Sequence, residues 1–173
     1  LPLIVYLVSS LFLTILYHKS VETDIIVPSI SQTGMKNLNK YSYIIYFVSF
    51  LIIAVITAHF YLKKLTIKNK PNLTKILQFM GLCACFLNII QGYYQLDTQK
   101  KLHENTAYGG IFLHLTTLSI WLYYNHTKNL KISIFLSWIS IFLMGPLVNI
   151  NFNLGSIAQR FCVFFLLLSL YLY

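Results

Sequence analysis

Apolar residues fall into six runs, roughly Leu1–Tyr17, Tyr41–Leu62, Ile76–Tyr94, Ala107–Tyr124, Ile132–Ile150 and Ile157–Tyr173. A helix needs about 17–25 residues to cross a hydrocarbon core of ~30 Å, and every run meets that range. Backbone amides and carbonyls find no water inside lipid, so each run is predicted to be a helix. The pattern predicts an all-α, polytopic membrane protein, a bundle of six transmembrane helices forming one domain over residues 1–173. The first run lacks a basic segment and a small-residue cleavage site, so it reads as a span and not as a removed signal peptide.

One polar segment differs from the others. Val27-Pro28-Ser29-Ile30-Ser31-Gln32-Thr33-Gly34 is neither apolar helix nor lysine-rich linker. Pro28 fixes its own φ and pushes Val27 towards an extended conformation. Ser31 and Thr33 can bond nearby backbone, and Gly34 can take φ > 0. A compact turn on one membrane face is predicted.

Composition narrows the class. Hydrophobic residues make up 57% of the 173 and charged residues 10%. About 25% charge is usual for a soluble domain, so these charges cannot cover a soluble surface. The net charge of +9 comes from cations spread through short loops, without a basic stripe or a binding motif, so nucleic acid is not an expected partner. Cys83, Cys85 and Cys162 all lie in apolar runs and read as buried thiols; no metal site and no cofactor are expected.

Charge also sets an orientation. The segment Lys63–Lys75 holds five lysines and no acid, and Lys128 and Lys131 again lie without an acid nearby. All four acids, Glu22, Asp24, Asp97 and Glu104, fall after the first and third runs. Lys/Arg bias puts the lysine-only segments and both termini in the cytoplasm, with the Pro28–Gly34 turn on the other face. The sequons at Asn72 and Asn125 are then cytoplasmic and unglycosylated. Gly145-Pro146 predicts a kink in the fifth helix, and Gly81, Gly92, Gly109 and Gly110 predict close backbone approach.

Polar side chains within the runs gather towards the turn. Asn88, Gln91 and Gln95 share one face at the outer end of helix three, Asn149 ends helix five there, and Gln159 and Arg160 open helix six. Arg160 can snorkel to water or hold a lipid phosphate with its planar fork. His103, with Asp97 and Glu104, is placed in the third loop as the one candidate acid–base set. His114, alone in helix four, reads as a packed core histidine. The pairs His18/His103 and His59/His126 share depths that haem ligation would need, but at helix ends and in loops beside tyrosines they read as interfacial anchors. No run contains an acid, and no Gly-x-Ser-x-Gly, His-Glu-x-x-His or phosphate-binding Gly loop occurs.

These residues resemble the DRAM/FRAG/SFK family of six-helix membrane proteins, a group of autophagy modulators, GPI-anchor remodelling factors and regulators of phosphoinositide synthesis. The family's first-loop pattern Pro-x-Ile-Ser-Asp-Thr-Gly is matched by Pro28, Ile30, Ser31, Thr33 and Gly34. Asn88, His103, Ala107 and Gly109 follow its polar helix end, loop histidine and small-residue helix start. Ser156–Arg160 loosely follow the opening of its last helix. The family's loop aspartate is Gln32 here, and its last-helix glutamate is Gln159, so a role needing a carboxylate is not implied.

The resemblance implies a regulatory or lipid-linked role in an endomembrane, Golgi- or lysosome-like, or in the plasma membrane. The expected function is non-catalytic binding of a membrane lipid or a membrane partner through Asn88, Gln91, Gln95, His103, Asn149, Gln159 and Arg160. The alternative is an accessory subunit of a larger membrane complex; a lipid-remodelling enzyme or a haem-binding electron carrier ranks below both.

Overall fold

The computed structural model describes residues 1–37, 39–94, 96–125 and 128–171, with the side chains of 128–130 and 171 outside the description. Gln95, His126 and Thr127, and with them one sequon and one histidine of the His59/His126 pair, lie outside the described residues.

Among the described residues, six long helices and one short one follow in order: α1 (Pro2–Ser20), α2 (Ile30–Thr33), α3 (Lys40–Lys63), α4 (Pro71–Tyr93), α5 (Lys100–Asn125), α6 (Lys128–Ile150) and α7 (Phe152–Tyr171). No strand occurs among the described residues. Pro2 and Pro71 open α1 and α4, where a missing N–H costs nothing. The Asn39 side chain accepts the Tyr41 N–H at 2.9 Å and caps α3.

Five of the long helices, α1, α3, α4, α6 and α7, are long and apolar enough to cross a membrane. Their outward side chains agree with that: Ile4, Leu7, Val8, Leu11 and Phe12 of α1 are all exposed, an apolar surface that a soluble monomer rarely leaves uncovered. The sixth long helix, α5, is too polar to be counted with them. His103, Thr106, His114 and Thr117 are buried on its inner side, and α4 and α6 pack beside it.

Several boundaries differ from those the apolar runs predicted. The fourth run begins at Ala107, yet α5 begins at Lys100, with the His103 N–H already bonded to the Gln99 carbonyl at 3.0 Å. Residues 100–106 contain no Pro or Gly, so nothing stops the helix from extending past its apolar part. α4 likewise takes in Lys75, and only Asn151 separates α6 from α7. α6 continues through Pro146 to Ile150.

The segment after α3 is also not a solvated linker. Leu65 and Ile67 are buried, the Trp121 indole N–H donates to the Thr66 carbonyl at 2.9 Å, and the Ile67 N–H donates to Thr74 Oγ1 at 2.9 Å. Asn69 takes the left-handed conformation (φ 61°) that a short polar side chain tolerates. This segment closes the end of the bundle opposite the Pro28–Gly34 turn. One apolar cluster, including Tyr61, Leu77, Leu115, Leu118 and Trp121, fills that end. A second, with Tyr6, Leu13, Ile30, Tyr46 and Leu167, lies beneath the turn.

Candidate functional site

The turn is more ordered than a loop. Ser29 and Gln32 form a reciprocal capping box: Ser29 Oγ accepts the Gln32 N–H at 3.2 Å, and Gln32 Oε1 accepts the Ser29 N–H at 2.9 Å. Thr33 Oγ1 donates to the Ile30 carbonyl at 2.6 Å. Gly34 does not need left-handed backbone, since its φ is −99°. Its lack of a side chain serves packing instead, because a Cβ there would run into the Tyr46 ring.

Three positions of α7 hold the backbone of this turn. Asn153 Oδ1 accepts the Val27 N–H at 3.0 Å, and Gln159 Oε1 accepts the Ile30 N–H at 3.0 Å. Arg160 donates to the Pro28 carbonyl from Nε at 3.2 Å and from one terminal nitrogen at 2.8 Å. That nitrogen also donates to Thr14 Oγ1 at 3.0 Å, and the other donates to Ser10 Oγ. Arg160 thus grips the chain's own groups on α1 and the turn. The amide of Gln159 presents an acceptor to a backbone donor, and that role needs no charge.

His103 is buried at the start of α5, 1% exposed, and not in a loop. Its predicted acidic partners turn away from it: Glu104 pairs with Lys100 at 3.9 Å, and Asp97 accepts the Asn37 N–H at 3.2 Å. His103 Nδ1 lies 2.7 Å from the Tyr94 carbonyl and 3.1 Å from that of Gln91. Carbonyls only accept, so Nδ1 carries a proton, and in the neutral imidazole Nε2 is left as an acceptor. Ser31 Oγ donates to that Nε2 at 2.7 Å. Ser31 therefore bonds a side chain across the bundle, where the sequence suggested nearby backbone.

The remaining predicted site residues separate by depth. Asn88 reaches inward to His114 Nε2 at 2.9 Å, while His114 Nδ1 meets the Tyr61 hydroxyl at 2.7 Å. His114 is thus the bonded core residue that the sequence suggested. Gln91 Nε2 donates to the Tyr46 hydroxyl at 3.5 Å. Asn149 is exposed.

A cavity of ≈ 660 Å³ connects these levels. Its apolar wall includes Leu13, Phe50, Ile53, Ile141, Val163 and Leu167, and its turn end carries Ser31, Gln91, His103, Asn149 and Gln159. Thr57 and Ser156, each 2% exposed, line it with hydroxyls that have no hydrogen-bond partner among the described residues. No protein-family model, curated protein or solved structure matches the chain.

Sequence reasoning missed Ser10, Thr14 and Asn153 in the grip on the turn, and Tyr46, Thr57 and Ser156 around the cavity. Serines and threonines in apolar helices are common and bond their own backbone, so their type gave no signal. Asn153 could have been found as a helix-start residue beside Gly155. Among the described residues, no group of three or more His, Cys, Asp or Glu could hold a metal ion.

Proposed function

We propose that the protein is a multi-pass membrane protein that binds a lipid, with an acyl chain in the central cavity and the lipid's polar part at the turn end. The observation that carries this reading is the cavity itself. Its ≈ 660 Å³ lies within the range of about 300–1,000 Å³ usual for ligand sites. Its wall is mostly apolar along the bundle and most polar towards the turn, with Thr57, Asn88 and His114 among the polar side chains deeper in, a profile that suits a single-chain amphiphile. The unpartnered hydroxyls of Thr57 and Ser156 support it further, since a buried hydroxyl without a bond costs roughly 1–3 kcal/mol and a ligand oxygen would relieve that cost.

In this reading Gln91, His103 and Asn149 face the ligand's polar part, while Gln159 and Arg160 hold the turn that closes the site. Asn88 secures the deeper wall through His114. The lysine-rich end faces the cytoplasm and the turn the opposite side. The likeness of Pro28–Gly34 to the DRAM/FRAG/SFK first loop supports a role for this turn and a location in an endomembrane or the plasma membrane.

Photo-cross-linking tests the reading. A diazirine-bearing fatty acid added to the purified full chain is expected to attach to cavity-wall residues such as Ile141 and Leu167. Ser156→Phe, which breaks no side-chain hydrogen bond, is expected to lower that attachment at least several-fold. Attachment only to outward residues, such as Phe12 and Phe135, would overturn the proposal; a second polypeptide co-purifying over α4 and α7 with the cavity unlabelled would favour an accessory subunit.

A further inference from the structure

We propose that Ser31 and His103 form a nucleophile–base pair that transfers the acyl group of a long-chain ester bound in the central cavity. This rests on the lipid-binding reading above and adds a reaction to it.

Three observations converge on the pair. First, its geometry meets the requirement for an activated serine: Ser31 Oγ lies 2.7 Å from His103 Nε2, within the reach needed for proton transfer. Second, the base is oriented by a third group. The Tyr94 and Gln91 carbonyls, 2.7 and 3.1 Å from Nδ1, fix both the tautomer and the ring plane, leaving the Nε2 lone pair on the serine. These carbonyls fill the place that a carboxylate takes in a Ser-His-Asp triad. They bring no negative charge to the imidazolium that forms in the reaction, so turnover is expected to be slow. Third, both residues line the cavity, so an ester bound there would lie beside Ser31 Oγ.

Donors for the developing oxyanion stand alongside. The Tyr46 hydroxyl lies beside Ser31 and Gln91, and Gln91 Nε2 offers a second N–H; both line the same cavity. Donors aimed at this charge are worth most in a water-poor site.

The step balances without a co-reactant other than water or an alcohol. The Ser31 Oγ–H proton passes to His103 Nε2 as Oγ bonds to the ester carbonyl carbon. Collapse of the tetrahedral intermediate breaks the bond from that carbon to the alcohol oxygen, and Nε2–H returns its proton to the leaving alkoxide. Water, or the hydroxyl of a second lipid, then gives a proton to Nε2 and attacks acyl-Ser31, and Ser31 recovers its proton from Nε2.

The test uses the purified full chain, a long-chain alkyl fluorophosphonate and peptide mapping, with diazirine fatty-acid cross-linking run on the same preparations. A phosphonyl adduct on Ser31 is expected, in preference to the exposed serines. It should vanish in Ser31→Ala and form at least about 100-fold more slowly in His103→Gln. Cavity cross-linking with Ser31 unlabelled, or labelling equally fast in His103→Gln, would overturn the pair and leave lipid binding standing. Absence of cavity cross-linking in the unsubstituted chain would overturn both. If His103→Gln does not fold, the unsubstituted chain decides: selective modification of Ser31 supports the pair and its absence refutes it.

Discussion

Single side chains carry the junction between the two ends of the chain. Arg160 reaches the Pro28 carbonyl, Ser10 and Thr14 at once, which only a planar fork with several donors can do. Arg160→Ala is expected to destabilise the protein by about 1–3 kcal/mol, the cost of leaving such partners unsatisfied. Arg160→Lys should recover only part of this, since one ammonium cannot span the same partners. Thermal unfolding in detergent measures both, and a lysine variant as stable as the parent would contradict the geometry. The sequence showed that Arg160 and Gln159 are unusual residues for an apolar helix. It did not show which way they face, because the turn that meets them lies more than a hundred residues earlier.

At the scale of elements, two tyrosines are seated against glycines. The Tyr61 ring lies where a Cβ on Gly81 would go, as the Tyr46 ring does over Gly34. The first contact draws α3 onto α4 and sets Tyr61 beside His114. Gly81→Ala is expected to cost about 1–3 kcal/mol through overpacking, despite alanine's better helix propensity. Chemical denaturation checks the sign, and a stabilised Gly81→Ala would show that the ring yields freely. Helix existence was legible from the apolar runs, because a backbone in lipid has few alternatives. Helix starts were less so: Lys100–Thr106 is helical without being apolar, so His103 was read as a loop residue and its distance from Asp97 and Glu104 was hidden.

For the whole molecule, the asymmetry of charge follows the asymmetry of structure. Seven lysines (63, 64, 68, 70, 75, 128 and 131) and no acid lie at the end closed by Leu65 and Ile67. The four acids lie towards the end that holds the turn. Single cysteines placed at Lys68 and Ile26, in a chain lacking Cys83, Cys85 and Cys162, are expected to react with an impermeant maleimide from opposite sides of a sealed vesicle. Reaction from one side would refute the orientation. A cavity could not be read from the sequence at all, since it is what six packed helices fail to fill.

The contacts between Arg160 and Pro28 have a consequence for biosynthesis. The turn leaves the ribosome before α7, and the guanidinium that donates to its Pro28 carbonyl is made 132 residues later. Until then the Val27 and Ile30 amides also await Asn153 and Gln159. A nascent chain stalled before α7 therefore leaves these turn groups without the partners that hold them in the finished fold.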